Sequence, residues 1–171
     1  MNLTEVLLAV IISMAVIAGS YFLYTTVTEK NAMSTTMVNI SLLRANIEDI
    51  YDGAYDDDSF GDIDTMVDLG IIPQYFLSSS GSGDNATTTL KTKWGDMTIA
   101  EGDASTEYTI SMDQLSGDAC VHFARFQVRS WKSIDVNDTE VWNRGTDTQA
   151  SISEVATACA GGNATVTFTA P

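Results

Sequence analysis

The sequence predicts an α+β fold in which one long N-terminal helix packs on an antiparallel sheet and a disulfide closes the C-terminal region. Three observations support this prediction: a long apolar run at the N-terminus, an apolar stripe of helical spacing directly after it, and short alternating segments in the C-terminal half. The length of 171 residues suits one domain plus one extra element. We expect an apolar half of the helix at 1–28, an amphipathic half at 29–53 and a globular head at 54–171, the head comprising a loop region at 54–90 and the sheet and disulfide region at 91–171.

The N-terminal run is long enough to cross a membrane. Residues 6–24 read VLLAVIISMAVIAGSYFLY, and the 23 residues between Glu5 and Glu29 carry no charge. A bilayer-spanning helix needs about 20 apolar residues. A secretory signal peptide is the alternative, but such signals open with a basic region, and here no basic residue precedes Lys30. The run also lacks a clear cleavage site, so we predict a transmembrane helix.

The helical pattern continues past the apolar run. Apolar residues recur at spacings of three and four, which places them on one face of a helix: Met33, Met37, Ile40, Leu43, Ile47 and Ile50. Gly53 supplies a C-terminal stop. The sequence therefore predicts one helix over residues 2–52, about 75 Å long at 1.5 Å per residue, whose second half needs a globular partner.

Two small residues stand inside the apolar half of this helix. Gly19 costs about 1 kcal/mol relative to alanine in a helix interior, and Ser20 follows it. The pair marks either a place where the helix bends or melts, or a close contact between helices through small side chains. Both interpretations stay open on the sequence alone.

The segment after the helix is acidic and rich in turn residues. Residues 53–64 read GAYDDDSFGDID and are predicted to form a loop. A short helix at 65–69 is expected to end at Gly70, because Pro73 prevents its continuation. Residues 78–89, SSSGSGDNATTT, have the most flexible composition in the chain and are predicted to form a surface loop.

The C-terminal half alternates strands with short helices. Three runs in which apolar and polar residues alternate predict half-buried strands, with these apolar members: Met97 and Ile99; Tyr108, Ile110 and Met112; Ala164, Val166 and Phe168. Ser116 is a candidate N-cap for a helix with one inward face, formed by Cys120, Phe123, Ala124, Val128 and Trp131. A further helix has its own apolar face, formed by Ile152, Val155, Ala156 and Cys159. Between the two helices, Asn137 and Asp138 predict the turn of a β-hairpin.

The chain has two cysteines, Cys120 and Cys159, both far from the apolar run. If that run places the rest of the chain outside the cytoplasm, an oxidising compartment makes their pairing the default. A disulfide that closes a loop of about 40 residues stabilises a fold by roughly 3 to 4 kcal/mol. Two unrelated buried thiols are the alternative.

The charge balance excludes one class of partner. Eight lysines and arginines stand against 23 aspartates and glutamates, which gives a net charge of −15. Such a surface repels the phosphate backbone. We therefore expect no direct binding of nucleic acid.

Residues for catalysis or metal binding are sparse. His122 is the only histidine, and no nucleophile-elbow motif accompanies it, so we interpret it as structural or as a surface residue. One acidic run could offer oxygen ligands to calcium, but it lacks the EF-hand arrangement and is interpreted as a solvated loop: Asp56, Asp57, Asp58, Asp62 and Asp64. We predict no catalytic residue, no metal site and no cofactor, and hence not an enzyme.

Glu5 is the strongest candidate for a functional residue in the sequence. An ionised acid in an apolar run is costly unless it is paired, and intramembrane charges are functional candidates by default. The nearest available cation is the N-terminal amine of Met1, or that of a neighbouring copy, if Met1 is the mature N-terminus. Pairing between copies would set the register of one apolar helix against the next. The alternative is that Glu5 lies among lipid headgroups without a partner.

The opening MNLTEVLLAV, with Met1 and Glu5, resembles the mature N-terminus of type IVb pilins. Further similarity to the small type IVb pilins of conjugative and enterobacterial thin pili lies in LGIIP at 69–73, in Trp94 and Gly95 before a strand, and in the positions of the two cysteines. The resemblance covers essentially the whole chain. No leader precedes Met1, as expected of a processed chain, and no proline breaks the first helix as it does in many relatives, which argues against local melting near Gly19.

The resemblance implies that a prepilin peptidase removes a leader and methylates the new amine of Met1, and that Glu5 governs subunit docking. It implies a major pilin, stored in the inner membrane and then polymerised into an extracellular pilus that serves adhesion, aggregation or conjugative contact. The implied partners are identical subunits, the peptidase, an assembly ATPase and platform proteins. A minor pilin or type II secretion pseudopilin is the first alternative, and a membrane-anchored periplasmic enzyme or binding protein is the second.

Overall fold

A computed structural model describes residues 3–55, 58–80 and 87–171. Two 3₁₀ turns, Gln74–Phe76 and Val128–Ser130, accompany four helices and eight strands within this part of the chain: α1 (Leu3–Tyr51), α2 (Ile63–Asp68), β1 (Leu77–Ser80), β2 (Thr87–Leu90), β3 (Met97–Glu101), β4 (Tyr108–Leu115), α3 (Gly117–Ala124), β5 (Ser133–Val136), β6 (Thr139–Asn143), β7 (Thr148–Gln149), α4 (Ile152–Ala158) and β8 (Ala164–Ala170). The chain forms two compact units that meet inside α1, one ending at Thr35 and the other comprising Thr36–Pro171.

The second unit is built on a six-stranded antiparallel sheet in the order β3-β4-β8-β5-β6-β7. The last strand of the chain, β8, lies at the centre, and its residues alternate strictly between buried and half-buried positions. Its inward side chains are Ala164, Val166, Phe168 and Ala170. The predicted α+β fold, its antiparallel sheet and its final strand are thus confirmed.

The second half of α1 supplies one wall of the head's core. Ile40, Leu43 and Ile47 are fully buried, as the apolar stripe predicts. The prediction that Ile50 lies on the inward face is wrong, since half of its surface is exposed and Tyr51 is buried instead. Because an α-helix has 3.6 residues per turn, Tyr51, four residues after Ile47, lies on the same inward face in the last turn of α1.

Arg44 fastens this part of α1 to the head. Its guanidinium lies 4.9 Å from the ring centroid of Trp131, and its Nη1 donates to the carbonyl oxygen of Ser130 at 2.5 Å. Its Nε forms an ion pair with Glu48, one turn along the helix, at 2.6 Å. Trp131 is itself fully buried and packs against Phe168, with 4.8 Å between ring centroids. The amphipathic half of α1 therefore packs on the sheet through polar and aromatic contacts as well as through its apolar stripe.

An aromatic cluster holds the segment that follows α1. The ring of Phe60 packs edge-on against Tyr51, with centroids 4.9 Å apart, and both Tyr55 and Phe60 contact the ring of Tyr108 in β4. Burial raises the pKa of Tyr108, so its hydroxyl stays neutral at every physiological pH. The cluster fixes the described part of the acidic segment beside the β3–β4 end of the sheet.

The helix that follows Ser116 is shorter than the sequence indicates. Ser116 caps α3 as predicted, and its hydroxyl accepts from the amide of Ala119, but the helix ends at Ala124. Val128 belongs to a 3₁₀ turn, and Trp131 lies beyond it. Gln127 adopts a left-handed conformation with φ of 44°, which redirects the chain and lets Trp131 reach Phe168. Tertiary packing of the indole outweighs the helical spacing that continues to residue 131.

The predicted loop at 78–89 is wrong at both of its ends. β1 and β2 pair there as a two-stranded antiparallel sheet, with Leu77 opposite Leu90 and Ser80 opposite Thr87. Residues 81–86 lie outside the described part. Serine and threonine carry little apolar signal, so only the backbone pairing reveals these strands.

The β5–β6 hairpin is confirmed, and the helix near Ile152 is confirmed in part. The β5–β6 hairpin turns at Asn137 and Asp138, both with positive φ, as a tight hairpin requires. The helix predicted near Ile152 forms as α4, and it opens with a capping box made by Ser151 and Glu154. Its predicted apolar face is wrong at Ile152 and Ala156, which are exposed, while Val155 and Cys159 are buried.

Candidate functional site

The apolar half of α1 presents its side chains outward along its described length. Its most apolar 18-residue window has a mean hydropathy of 2.5, and none of that window is buried. Leu8, Ile17 and Tyr21 illustrate this exposure, each with more than half of its surface accessible. By length and composition this is the one candidate membrane-spanning helix within the part of the chain that the structure describes.

Three hydroxyl groups of this half form hydrogen bonds within the helix itself. Ser13 Oγ donates to the carbonyl oxygen of Ala9 at 2.7 Å, Ser20 Oγ to that of Val16 at 2.8 Å, and Thr28 Oγ1 to that of Tyr24 at 2.8 Å. A polar group that is satisfied inside its own helix loses little when water is removed. These three hydroxyls therefore do not prevent the segment from entering lipid or a bundle of apolar helices.

Glu5 lies in the first turn of α1, which begins at Leu3. A carboxylate is favoured at this position because the first turn of a helix carries a partial positive charge. The side chain of Glu5 and all of Met1 lie outside the described residues. Their pairing stays a prediction.

Gly19 and Ser20 lie within an unbroken helix. Apart from its two chain neighbours and the backbone of the helix itself, no heavy atom of the described residues lies within 4 Å of the position that a Cβ at Gly19 would occupy. An open glycine face of this kind leaves room for another backbone to approach. The structure describes one copy of the helix. Bending and close packing at Gly19 and Ser20 both concern contacts with other helices, so both interpretations remain predictions.

The two cysteines form a disulfide, as predicted. The Sγ–Sγ distance is 2.00 Å and the Cα–Cα distance is 5.7 Å, and both residues are buried. Cys120 lies in the first half of α3 and Cys159 is the C-cap of α4, so the bond joins the two short helices. Asn137 adds a second tie to this region, since its Nδ2 donates to the carbonyl oxygen of Ala158 and its Oδ1 accepts from the amide of Thr165.

The histidine lies beside a carboxylate of its own helix. His122 is exposed on α3, 4.0 Å from the carboxylate of Asp118 one turn earlier. Residues 3–55, 58–80 and 87–171 contain no group of three or more histidine, cysteine, aspartate or glutamate side chains placed to hold a metal. Of the acidic run, Asp56 and Asp57 lie outside these residues, and Asp58, Asp62 and Asp64 are exposed. Asp62 has a structural role that its place in an acidic run does not indicate, because its side chain caps α2.

Comparisons with known proteins identify the family. The PilS N-terminal family model matches residues 30–171. The crystal structure of a type IVb pilin from Salmonella typhi is 21% identical, with a TM-score of 0.59, and the match covers 79% of this chain and 97% of that one. The solution structure of the Salmonella typhi type IVb pilin PilS is 20% identical over 80% of this chain and 94% of that one, with a TM-score of 0.47. No curated protein matches the sequence. With its long helix, antiparallel sheet and disulfide, the chain belongs to the PilS family and is a type IVb pilin.

Proposed function

We propose that this pilin is the major subunit of an extracellular type IV pilus, assembled through the apolar half of α1. The observation that carries the proposal is the exposure of that half: a chargeless apolar helix longer than 20 residues requires lipid or other apolar helices around it. The inner membrane supplies lipid before assembly. Identical copies supply the apolar surroundings afterwards, while the acidic heads form the filament surface.

Docking in this proposal depends on Glu5 and on the amine of a processed, methylated Met1. As copies leave the membrane, the carboxylate of one helix pairs with the terminal amine of the next, which neutralises both charges in an apolar setting. A prepilin peptidase, an assembly ATPase and platform proteins act on the subunit. The pilus then serves adhesion, aggregation or conjugative contact.

Gly19 and Ser20 belong to the same proposal. The open face at Gly19 lets a neighbouring helix approach closely within the filament core. Bending or melting at the pair is the second interpretation. Electron cryomicroscopy of the filament separates them, because close packing predicts an unbroken helix through residues 19 and 20 and melting predicts an extended segment there.

Shearing of surface filaments tests the proposal. The chain should dominate the sheared fraction on a denaturing gel, at its mass of 18.4 kDa, and N-terminal sequencing should begin at a methylated Met1. A trace amount under a different dominant band would indicate a minor pilin or pseudopilin. An anchored enzyme or binding protein predicts that deletion of residues 1–28 leaves a soluble, fully active head and that filaments never form.

A further inference from the structure

The positive side chains of this pilin differ in their partners. The chain has eight lysines and arginines against 23 aspartates and glutamates, so acids far outnumber bases. Among the side chains that the structure describes, Arg44, Lys91 and Lys132 form ion pairs. Arg129 and Arg144 are exposed, and no described carboxylate lies within ion-pair distance of either guanidinium. Their charges are therefore available to a group from outside the chain.

Both of these arginines line one groove beside β6 and β7, at an edge of the six-stranded sheet. The groove has a volume of about 350 Å³ and is lined by Arg129, Trp142, Arg144, Asp147 and Gln149. Small-molecule sites have volumes of about 300 to 1,000 Å³, so this groove suits a ligand the size of one sugar ring. We call it the arginine groove.

The walls of the arginine groove are held in place by hydrogen bonds. Arg144 Nη2 donates to the carbonyl oxygen of Arg129 at 2.6 Å. Asn143 Oδ1 accepts from the amides of Gly145 at 2.8 Å and Thr146 at 3.4 Å, which fixes the turn between β6 and β7. A site that is arranged before binding loses less conformational entropy when its ligand arrives.

The indole of Trp142 supplies the apolar part of the lining. Its Nε1 donates to the carbonyl oxygen of Trp131 at 3.3 Å, which fixes the ring, and 6% of its surface is exposed. The exposed part of the ring gives the C–H groups of a ligand an apolar contact.

The charges of the lining favour a ligand with one negative charge. Two guanidinium groups and the carboxylate of Asp147 give the groove a net charge of +1. Guanidinium groups bind carboxylates through two parallel hydrogen bonds. A phosphate carries nearly two negative charges at pH 7 and would bring an uncompensated charge close to Asp147. The carboxylate of Asp147 and the amide of Gln149 bind hydroxyl groups.

We propose that the arginine groove binds the carboxylated sugar of an acidic glycan. One carboxylate, several hydroxyl groups and apolar C–H groups match the three kinds of side chain in the lining. The net charge of −15 does not prevent the contact, since charges farther away than the Debye length of about 8 Å are screened at physiological ionic strength. The site goes beyond the proposed filament, because a single folded head contains all of its residues. Uronic acids and sialic acids are the two sources of such a sugar.

Saturation-transfer NMR of the full chain in non-ionic detergent tests the proposal, with glucuronate and N-acetylneuraminate as probes. We expect saturable binding of at least one probe with a Kd on the order of 1 mM, as a ligand of this size allows. Glucose lacks the carboxylate and should bind at least roughly fivefold more weakly. Preference for glucuronate identifies uronic acids as the source, and preference for N-acetylneuraminate identifies sialic acids.

Arg129→Gln with Arg144→Gln should weaken binding at least roughly tenfold, because both charged donors are lost. Arg129→Gln alone keeps the hydrogen bond from Arg144 to the backbone and should give a smaller loss. Lys91→Gln with Lys93→Gln is the matched control, since it removes two exposed positive charges outside the groove, and it should leave the Kd unchanged. The oxidised disulfide and the urea midpoint verify the folding of each variant.

Asp147→Asn tests the charge match separately. It raises the net charge of the groove from +1 to +2, so glucose 6-phosphate should gain affinity relative to glucuronate. The proposal is wrong if glucose or acetate binds as tightly as the carboxylated sugars, or if glucose 6-phosphate binds the parent more tightly than they do. It is equally wrong if the arginine substitutions leave binding unchanged, if the lysine control abolishes it, or if Asp147→Asn does not shift the preference. None of these outcomes depends on filament assembly, so each leaves the proposed function untouched.

Discussion

Glu5→Ala is expected to remove filaments from the cell surface while the subunit stays in the membrane at its normal level. Glu5 is the last charged residue before 23 uncharged residues. Its carboxylate is therefore the one group at that end of the run that can form an ion pair with the terminal amine of a neighbouring copy. Without it, neighbouring apolar helices have no preferred register, and the buried amine is left unpaired. Immunoblots of sheared and membrane fractions measure the distribution.

Glu29→Ala is the matched control for this variant, because it removes an identical side chain from the other boundary of the apolar run. It should leave filament yield near the parental level. Glu5→Gln keeps the shape but not the charge, and it should behave like the alanine variant. If Glu5→Ala polymerises as well as the parent, then the pairing of Glu5 with an amine plays no part in assembly.

Loss of the disulfide is expected to lower the free energy of unfolding of the head by roughly 3 to 4 kcal/mol, as the chain-entropy model gives for a loop of this length. The bond joins positions 39 residues apart, and without it the unfolded chain regains the freedom of that loop. Urea unfolding of the full chain in detergent, followed by tryptophan fluorescence, measures the effect. Trp131 is fully buried and reports on the same core.

The variant for this test is Cys120→Ala with Cys159→Ala, compared with the parent after reduction. Both should unfold at similarly low urea concentration, since they share an open loop and differ only by buried sulfur atoms. A change below about 1 kcal/mol would show that α3 and α4 are held by other contacts, such as the hydrogen bonds of Asn137.

The sequence predicts the elements whose signal is local and strong. The alternation in β8, the Asn137–Asp138 turn and the apolar stripe through Ile47 each follow from one physical rule applied to neighbouring residues. The cysteine pairing also follows, because two cysteines in an oxidising compartment allow one intramolecular bond.

Rules for neighbouring residues do not predict elements whose extent depends on contacts between residues far apart in the sequence. α3 ends early because Trp131 packs on Phe168, which comes 37 positions later in the sequence. β1 and β2 consist mainly of serine and threonine, whose pairing depends on backbone hydrogen bonds. Arg144, after β6, donates to the carbonyl oxygen of Arg129 in a 3₁₀ turn, a contact that the sequence alone does not indicate.

Electron cryomicroscopy of sheared filaments tests the central claim most directly. We predict a filament of this chain in which residues 6–28 of many copies pack against one another at the centre, with Glu5 beside the terminal amine of a neighbour and the sheets outside. Filaments that consist of another protein, or that this chain joins through its head while its apolar helix remains in lipid, would contradict assembly through the apolar helix.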